Sequence, residues 1–439
     1  MNSKSISKSD LAALVLSNLS QKNVEKVVSF AMHSGLCIVC AKPHMYHPDF
    51  TQIKDSIGSY ALITEDKDGK LLVEDDSTLG TKSPFLEDYP IQRSLRQLDY
   101  NWAEDEVAFV LYTSGSTGKP KGVCHSLQNL LFSVDFFAKC LQIKAHTKVL
   151  TFAPVDSVGG FKLIILSLLK QAKVEMIIPE GPLGWLNSLC AVKPDVLCCS
   201  PQLLESAIQC ERFINAEPFT CSYYTGGALL AEPTRILFEK TFNNVVFDGY
   251  GTTETGGSFW INEPNKKGSG FEPKTNQLLT HSLVPIDGQD GLYRLRVNCK
   301  SNFLRYLGDE RFAERDYQTG DIVKFNAGKV HLVGRENRSF KSKDGLYILH
   351  AEVFEQTLKK ISHIKDAFVA SEFNIELEPH VCYIDTDHAI DLAAVIQFVV
   401  QNLGLPYSRI KLAYANISRN ADGKILNIAV MTHPAQTTE

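Results

Sequence analysis

The chain has 439 residues, 44% of them hydrophobic, and a formal net charge of −5. Length and composition predict a globular protein of about two or three domains with a large apolar core. Charges of both signs are interspersed, so there is no basic footprint for nucleic acid, and no apolar run approaches the roughly 20 residues that a membrane span needs.

The chain begins Met1-Asn-Ser-Lys, and Asp10 precedes an apolar patch too short for a secretory signal. The spacing of Leu11, Leu14, Val15 and Leu19 predicts one face of a helix capped by Ser9. Leu36–Ala41 is expected to be a buried strand. It contains Cys37-Ile-Val-Cys40, with His44 and His47 close behind, but that gap is far shorter than in a zinc finger. The eleven cysteines are scattered, many in apolar surroundings such as Cys198 and Cys199. An odd total and no signal segment point to reduced thiols in a cytoplasmic protein.

From about residue 100 to 255 strand-like and helix-like runs alternate. Strands are predicted at Val107–Thr113, Val149–Pro154, Val174–Ile178, Val196–Cys199 and Asn244–Phe247. Helices are predicted from Ser126 and over Phe161–Gln171, Trp185–Ala191, Pro201–Cys210 and Glu232–Phe242. The alternation predicts an α/β fold, a doubly wound and mostly parallel sheet covered by helices. After residue 280 the pattern turns β-rich: Leu292–Val297, then Ile322–Phe325 and Val330–Val333 about the hairpin signal Asn326-Ala-Gly-Lys329. Arg335–Gly345 reads as a linker. Beyond it, helices at Ala351–Ile361 and Ala389–Asn402, with strands near Ala367–Ala370 and Val381–Ile384, predict a small α+β domain.

The most informative stretch is Tyr112-Thr-Ser-Gly-Ser-Thr-Gly-Lys-Pro-Lys-Gly122. Its glycines free backbone N–H groups to turn around an anion, its hydroxyls donate hydrogen bonds and its lysines supply charge. That is the chemistry of a polyphosphate cradle, expected on a strand-to-helix loop. It fails the Walker pattern at Thr113 and Pro120. Further along, Gly249-Tyr-Gly-Thr-Thr-Glu254 puts a carboxylate after a strand, where magnesium would favour an oxygen ligand. Thr319-Gly-Asp321 and Gly334-Arg335 offer an acceptor suited to a ribose diol and a cation suited to phosphate or ribose oxygens. Taken singly, each is also readable as a solvated turn.

In their order, with Gly226-Gly227-Ala228 and Ser418-Arg-Asn-Ala-Asp-Gly-Lys424, these segments resemble the signatures of the adenylate-forming (AMP-binding) superfamily. Its members include acyl- and aryl-CoA synthetases, peptide-synthetase adenylation domains and luciferases; this chain resembles a short stand-alone member. The resemblance covers residues 112–424. It implies a large N-terminal domain, 1–335, with doubly wound sheets and a β-rich subdomain, and a mobile C-terminal domain, 336–439. It also implies that Thr113, Ser114, Gly115, Ser116, Thr117, Gly118 and Lys121 hold the phosphates of ATP. Gly226, Gly227 and Ala228 would line the adenine pocket with Tyr250 and Gly251, Asp248 would contact the adenine amino group, and Asp321 and Arg335 would sit at the ribose. Thr253 would contact the α-phosphate, Glu254 would bind Mg2+, and Lys424 would be the adenylation lysine.

The implied reaction converts a carboxylic acid and Mg-ATP to acyl-AMP and pyrophosphate, then transfers the acyl group to a thiol, most simply coenzyme A. Two alternatives stay open: an enzyme that adenylates an amino acid or acyl group and loads a carrier protein's phosphopantetheine, and a nucleotide-binding homologue without turnover. Neither nucleic acid nor a membrane span is implied, and a homodimer is left open.

The chain departs from the pattern in several places. Residues 1–100 look shortened. In Thr151-Phe-Ala-Pro-Val-Asp-Ser-Val-Gly-Gly160, Ser157 stands where a histidine or aromatic side chain is usual. Asp156 precedes it and would suit an amino acid's ammonium. Ser157, Gly159, Gly160, Gly256 and Gly257 suggest room in the acid pocket. Asn337 occupies the hinge position, usually Asp or Lys. Gly345, expected in the thiol tunnel, follows a segment one residue longer than usual.

Overall fold

A computed structural model of the chain describes all residues except 1–12, 18, 41–54, 58–59, 76–77, 83–97, 114–120, 179–180, 215–220, 263–269, 273–278, 287–288, 342–347, 362, 370–379, 387–388, 404–409, 420–424 and 432–439. By compactness the chain divides into two units. The first is 1–267 with 274–280 and 298–317; the second is 268–273, 281–297 and 318–439.

The first unit is α/β and holds two sheets. One has the strand order Arg305–Tyr306, Lys121–His125, Phe109–Thr113, Cys37–Cys40, Ala13–Leu16, Tyr60–Glu65, Leu71–Asp75, Thr78–Lys82. Its centre is parallel and its flanks antiparallel. The other runs Gly257–Asn262, Val246–Thr252, Ser222–Gly226, Val196–Cys199, Lys148–Thr151, Lys173–Met176; it is parallel except at the first pair. One core joins both sheets, with Ile38 and Phe109 from the first, Val149 and Val196 from the second, and helical residues among them. The helix Val158–Lys170 contributes Phe161, Leu163, Ile164, Ile165 and Leu166, all buried. A helix so heavily covered must be largely apolar, and this one is, with Lys162, Ser167 and Lys170 as its polar residues. The helix Leu127–Cys140 starts at a capping box: the Asn129 N–H donates to Ser126 Oγ at 3.2 Å, and the Ser126 N–H donates to Asn129 Oδ1 at 3.1 Å.

Three sequence expectations are corrected. Leu14 and Val15 lie on the strand Ala13–Leu16, not on a helix; it is wholly buried between two parallel neighbours. A strand buried on both faces is continuously apolar, and over so few residues helical spacing cannot be told from such a run. The phosphate-cradle segment joins antiparallel strands, with Thr113 paired to Lys121, so it is a strand-to-strand loop rather than a strand-to-helix loop; the helix begins only at Leu127. The expected linker after Arg335 is partly ordered: a 3-10 turn at Glu336–Arg338 leads into Ser339–Lys341, which pairs with Ile348–His350. Cys37–Cys40 is the buried strand expected, and no metal-binding cluster occurs among the described residues. His44 and His47 lie outside them.

The second unit contains most of a four-stranded sheet, Leu279–Ile286, Gln289–Cys299, Tyr317–Asn326 and Lys329–Arg335, and an α+β body. The hairpin signal lands where expected: Ala327 and Gly328 carry φ of 50° and 76° between paired Asn326 and Lys329. The α+β body orders its strands Ile364–Val369, His380–Thr386, Ile410–Arg419, Ile425–Val430. Helices Ala351–Leu358 and Leu392–Leu403 close a core of Phe354, Leu358, Ala367, Ile384, Val395 and Val399. Among the described residues no helix is long and apolar enough to cross a membrane.

Candidate active site

Ligands in open α/β sheets bind beyond the carboxyl ends of parallel strands, and here those ends carry the sequence motifs. Gly226 ends one strand and stands in register with Gly249 on the next. A Cβ on Gly226 would lie 2.8 Å from the Tyr224 hydroxyl, so the motif glycine is also a packing requirement. Gly227, at φ 84°, faces open space, and Ala228 is half-buried. Asp248, half-buried on the neighbouring strand, has its carboxyl pushed up to about 7 by burial, offset by the Arg235 charge. Tyr250 is buried against Phe259 and Trp260.

The strand then turns back on itself. Pairing slips between Tyr250 and Gly251, and Gly251 lies so close to Gly257 that a Cβ would overlap the Gly257 carbonyl. Gly251→Ala is therefore expected to destabilise the fold by about 1–3 kcal/mol through overpacking. Urea unfolding of the variant checks this, and an unchanged midpoint would contradict so close an approach. The 3-10 turn Thr253–Thr255 follows, stapled by the Thr255 hydroxyl, which donates toward the Thr252 and Gly257 carbonyls and accepts from the Thr252 N–H.

Two side chains that the motifs did not single out hold this turn. His125, fully buried, places Nε2 2.9 Å from the Thr253 carbonyl oxygen. Burial pushes its pKa down to about 4, so the ring is neutral and Nε2–H donates. Because the unfolded chain takes up that proton near pH 6.5 and the folded chain only near 4, stability is lost as pH falls through this window. His125→Gln is expected to flatten the slope of unfolding free energy between pH 7 and pH 4.5, and an unaltered slope would contradict it. Asp248 acts in the opposite sense, its contribution being lost as pH rises toward 7, so the wild-type-minus-variant difference isolates His125.

Tyr306 is the second. Its strand pairs with Lys121–His125, its hydroxyl donates to Glu254 Oε1 at 3.0 Å, and Lys121 Nζ lies 5.3 Å from its ring centroid. The last lysine of the phosphate-cradle motif and the Glu254 carboxylate thus meet at one phenol. Glu254 is half-buried, and its carboxylate has no other protein donor among the described residues, leaving oxygen lone pairs for a hard cation. Neither residue was legible locally: His125 ends a strand beyond the cradle motif, and Tyr306 lies outside every recognised segment.

The acid-pocket segment differs from expectation. Ser157 caps the helix Val158–Lys170: its Oγ accepts from the Gly160 N–H at 3.0 Å and donates to the Pro154 carbonyl at 2.7 Å. Its hydroxyl is committed to the backbone. Gly160 leaves no room, since a Cβ would overlap the Pro154 carbonyl. A Cβ on Gly256 would meet Ser133 Cβ and the Ser301 carbonyl at 3.3 Å. Gly159 is freer, with nothing nearer than 3.8 Å. Asp156 is half-buried in the turn before the cap.

In the second unit, Asp321 and Arg335 are cross-strand partners, and Arg335 Nε donates to Asp321 Oδ1 at 2.8 Å. Asn337 lies in the 3-10 turn. Ser114, Gly115, Ser116, Thr117, Gly118, Gly345 and Lys424 lie outside the described residues.

The fold and the strand-end glycine motifs define a class of α/β proteins whose candidate site lies beyond the carboxyl ends of parallel strands. Residues 20–278 match the family described as AMP-binding enzyme, and the chain belongs to that family. It superposes on O-succinylbenzoate coenzyme A synthetase (MenE) from Bacillus subtilis in complex with ATP and magnesium ion with TM-score 0.75, at 19% identity over 96% of this chain and 89% of that one. A benzoate CoA ligase from Burkholderia xenovorans LB400 gives TM-score 0.75 at 18% identity, covering 95% and 88%. At these identities the likeness concerns the fold. In sequence the chain is 24% identical over 306 residues to anthranilate–CoA ligase of Pseudomonas aeruginosa, covering 65% of this chain and 58% of that protein. It is 26% identical over 268 residues to indigoidine synthase of Dickeya dadantii, covering 54% and 18%. The match thus spans less than two thirds of the length of these curated relatives.

Proposed function

We propose that the protein activates a carboxylic acid with ATP, releasing pyrophosphate, and passes the acyl group from acyl-AMP to a thiol, coenzyme A. The observation that carries this is the meeting of Lys121 and Glu254 at Tyr306: a cation and a carboxylate, from segments far apart in sequence, at one end of the sheets. Glu254 would hold Mg2+, which when bound neutralises phosphate charge. Thr113 and Lys121 with residues 114–118 would hold the phosphates. Thr253, fixed by His125, would face the α-phosphate. Gly226, Gly227, Ala228, Asp248, Tyr250 and Gly251 would form the adenine side, and Asp321 with Arg335 the ribose side.

Atoms balance in two steps. The acid's carboxylate oxygen bonds to the α-phosphorus while the bond to pyrophosphate breaks. A thiolate then attacks the acyl carbon, and AMP departs with the oxygen it received. The steps need different groups at one centre, which a moving domain supplies. Residues 336–439 would be that domain, carrying Lys424 in for the first step and Gly345 for the second. Asn337 suits a pivot: Glu336 before it pairs with Arg294 at 2.8 Å, and Arg338 after it pairs with Glu352 and Glu355 at 3.3 and 2.7 Å. Torsion is thereby confined to the residue between two anchored neighbours.

The alternative acceptor is a carrier-protein phosphopantetheine. Pyrophosphate release over a panel of aliphatic, aromatic and amino acids, with and without coenzyme A, tests the proposal. Acid-dependent release with thioester formation only when coenzyme A is present supports it. Release without thioester favours the carrier protein, and no release from any acid rejects adenylation.

A further inference from the structure

Lys162 is the only buried lysine or arginine among the described residues. Its electrostatic partners among the described residues include no carboxylate. Its neighbours are the Phe137 ring, with centroid 4.4 Å from Nζ, and the thiols of Cys140 and Cys198. Burial holds the Cys198 thiol up at about 12, so it is neutral. The nearby Tyr224 hydroxyl is already bonded to Ser258 Oγ. An ammonium carries three donors, and burying it without a carboxylate partner is costly. If packing alone were needed here, a methionine would serve at less cost.

Its direction is informative. Lys162 lies one helical turn after Val158, so the two share a face. Both reach Gly257: a Cβ there would lie 3.0 Å from Lys162 Nζ and 3.8 Å from Val158 Cγ2. Gly257 is three residues beyond Glu254, and Lys162 follows the pocket segment that ends at Gly160. The charge therefore ends beside the turn that bears Glu254.

We propose that Lys162 receives a second anionic group on the acid, so that the substrate is a dicarboxylic acid with one carboxylate activated and the other on the buried ammonium. This rests on the adenylation proposal above. It explains why a lysine stands among Phe137, Val158 and a bare glycine.

The test is pyrophosphate release with acids matched in length: succinate against butyrate, glutarate against pentanoate, adipate against hexanoate, terephthalate against benzoate. The wild type is expected to favour at least one dicarboxylate over its partner by tenfold or more in kcat/KM. Lys162→Met should abolish that preference by lowering the dicarboxylate value, and its thermal midpoint should hold or rise because a buried charge is gone. A wild type that uses the monocarboxylates equally well, or a Lys162→Met enzyme that keeps the preference, overturns the proposal. If Lys162→Met does not fold, the wild-type ratios alone decide. Pyrophosphate release from monocarboxylates alone defeats the Lys162 proposal and leaves adenylation standing; release from no acid defeats both.

Discussion

Lys424→Ala is expected to cut acyl-AMP formation by roughly 10²–10³-fold, the usual effect of removing one group that stabilises developing transition-state charge. Thioester formation from supplied acyl-AMP is expected to survive. The asymmetry follows from the two steps. In the first an anion approaches a polyanion and negative charge builds at the α-phosphorus, so a cation there acts on the transition state more than on the ground state. In the second the bond being made is to carbon, and on the proposed mechanism the lysine would have been withdrawn. Pyrophosphate exchange reports the first step and AMP release from synthetic acyl-AMP plus coenzyme A the second. Equal loss in both would assign Lys424 a structural role.

Glu254→Gln is expected to lower adenylation by roughly 10²–10³-fold and to raise the Mg2+ concentration for half-activation, because charge neutralisation by a metal is worth several kcal/mol. The amide keeps the size of the side chain, and its carbonyl oxygen still accepts from Tyr306, so the turn should persist. Tyr306→Phe probes the support separately: the carboxylate stays but loses its only described hydrogen bond. A 10- to 100-fold weakening of apparent Mg2+ affinity is expected, as for other groups that orient a metal ligand. A normal magnesium titration in Glu254→Gln would contradict the assignment.

Much of this architecture could be read from the chain because it is local. The helix over Glu232–Phe242 falls where its periodicity and proline place it, and Val196–Cys199 falls on its apolar run. The hairpin at Ala327-Gly328 needed only its turn residues. Ala13–Leu16 failed because its neighbours, Cys37–Cys40 and Tyr60–Glu65, are remote in sequence, and burial on both faces erased the alternation that marks a strand.

The same division runs through the site. Gly249–Glu254 announces itself by composition. Tyr306 and His125 do not, since each matters only through a backbone or carboxylate brought near by folding. Ser157 has a role that its position did not announce: its hydroxyl satisfies a helix N-terminus. Bare glycines suggested space, yet at Gly160 the absent Cβ is what lets one backbone approach another. That Lys162 is buried, with its ammonium over the Phe137 ring, is a tertiary fact.

The central claim is that the acid attacks the α-phosphorus of ATP. An acid identified by the panel, labelled with 18O in its reacting carboxylate, tests it most directly in a full turnover with coenzyme A, followed by mass spectrometry of the nucleotide. One 18O should appear in the phosphate of AMP, with unlabelled pyrophosphate beside it. Unlabelled AMP, or ADP with 18O in inorganic phosphate, would place the attack elsewhere and contradict the account.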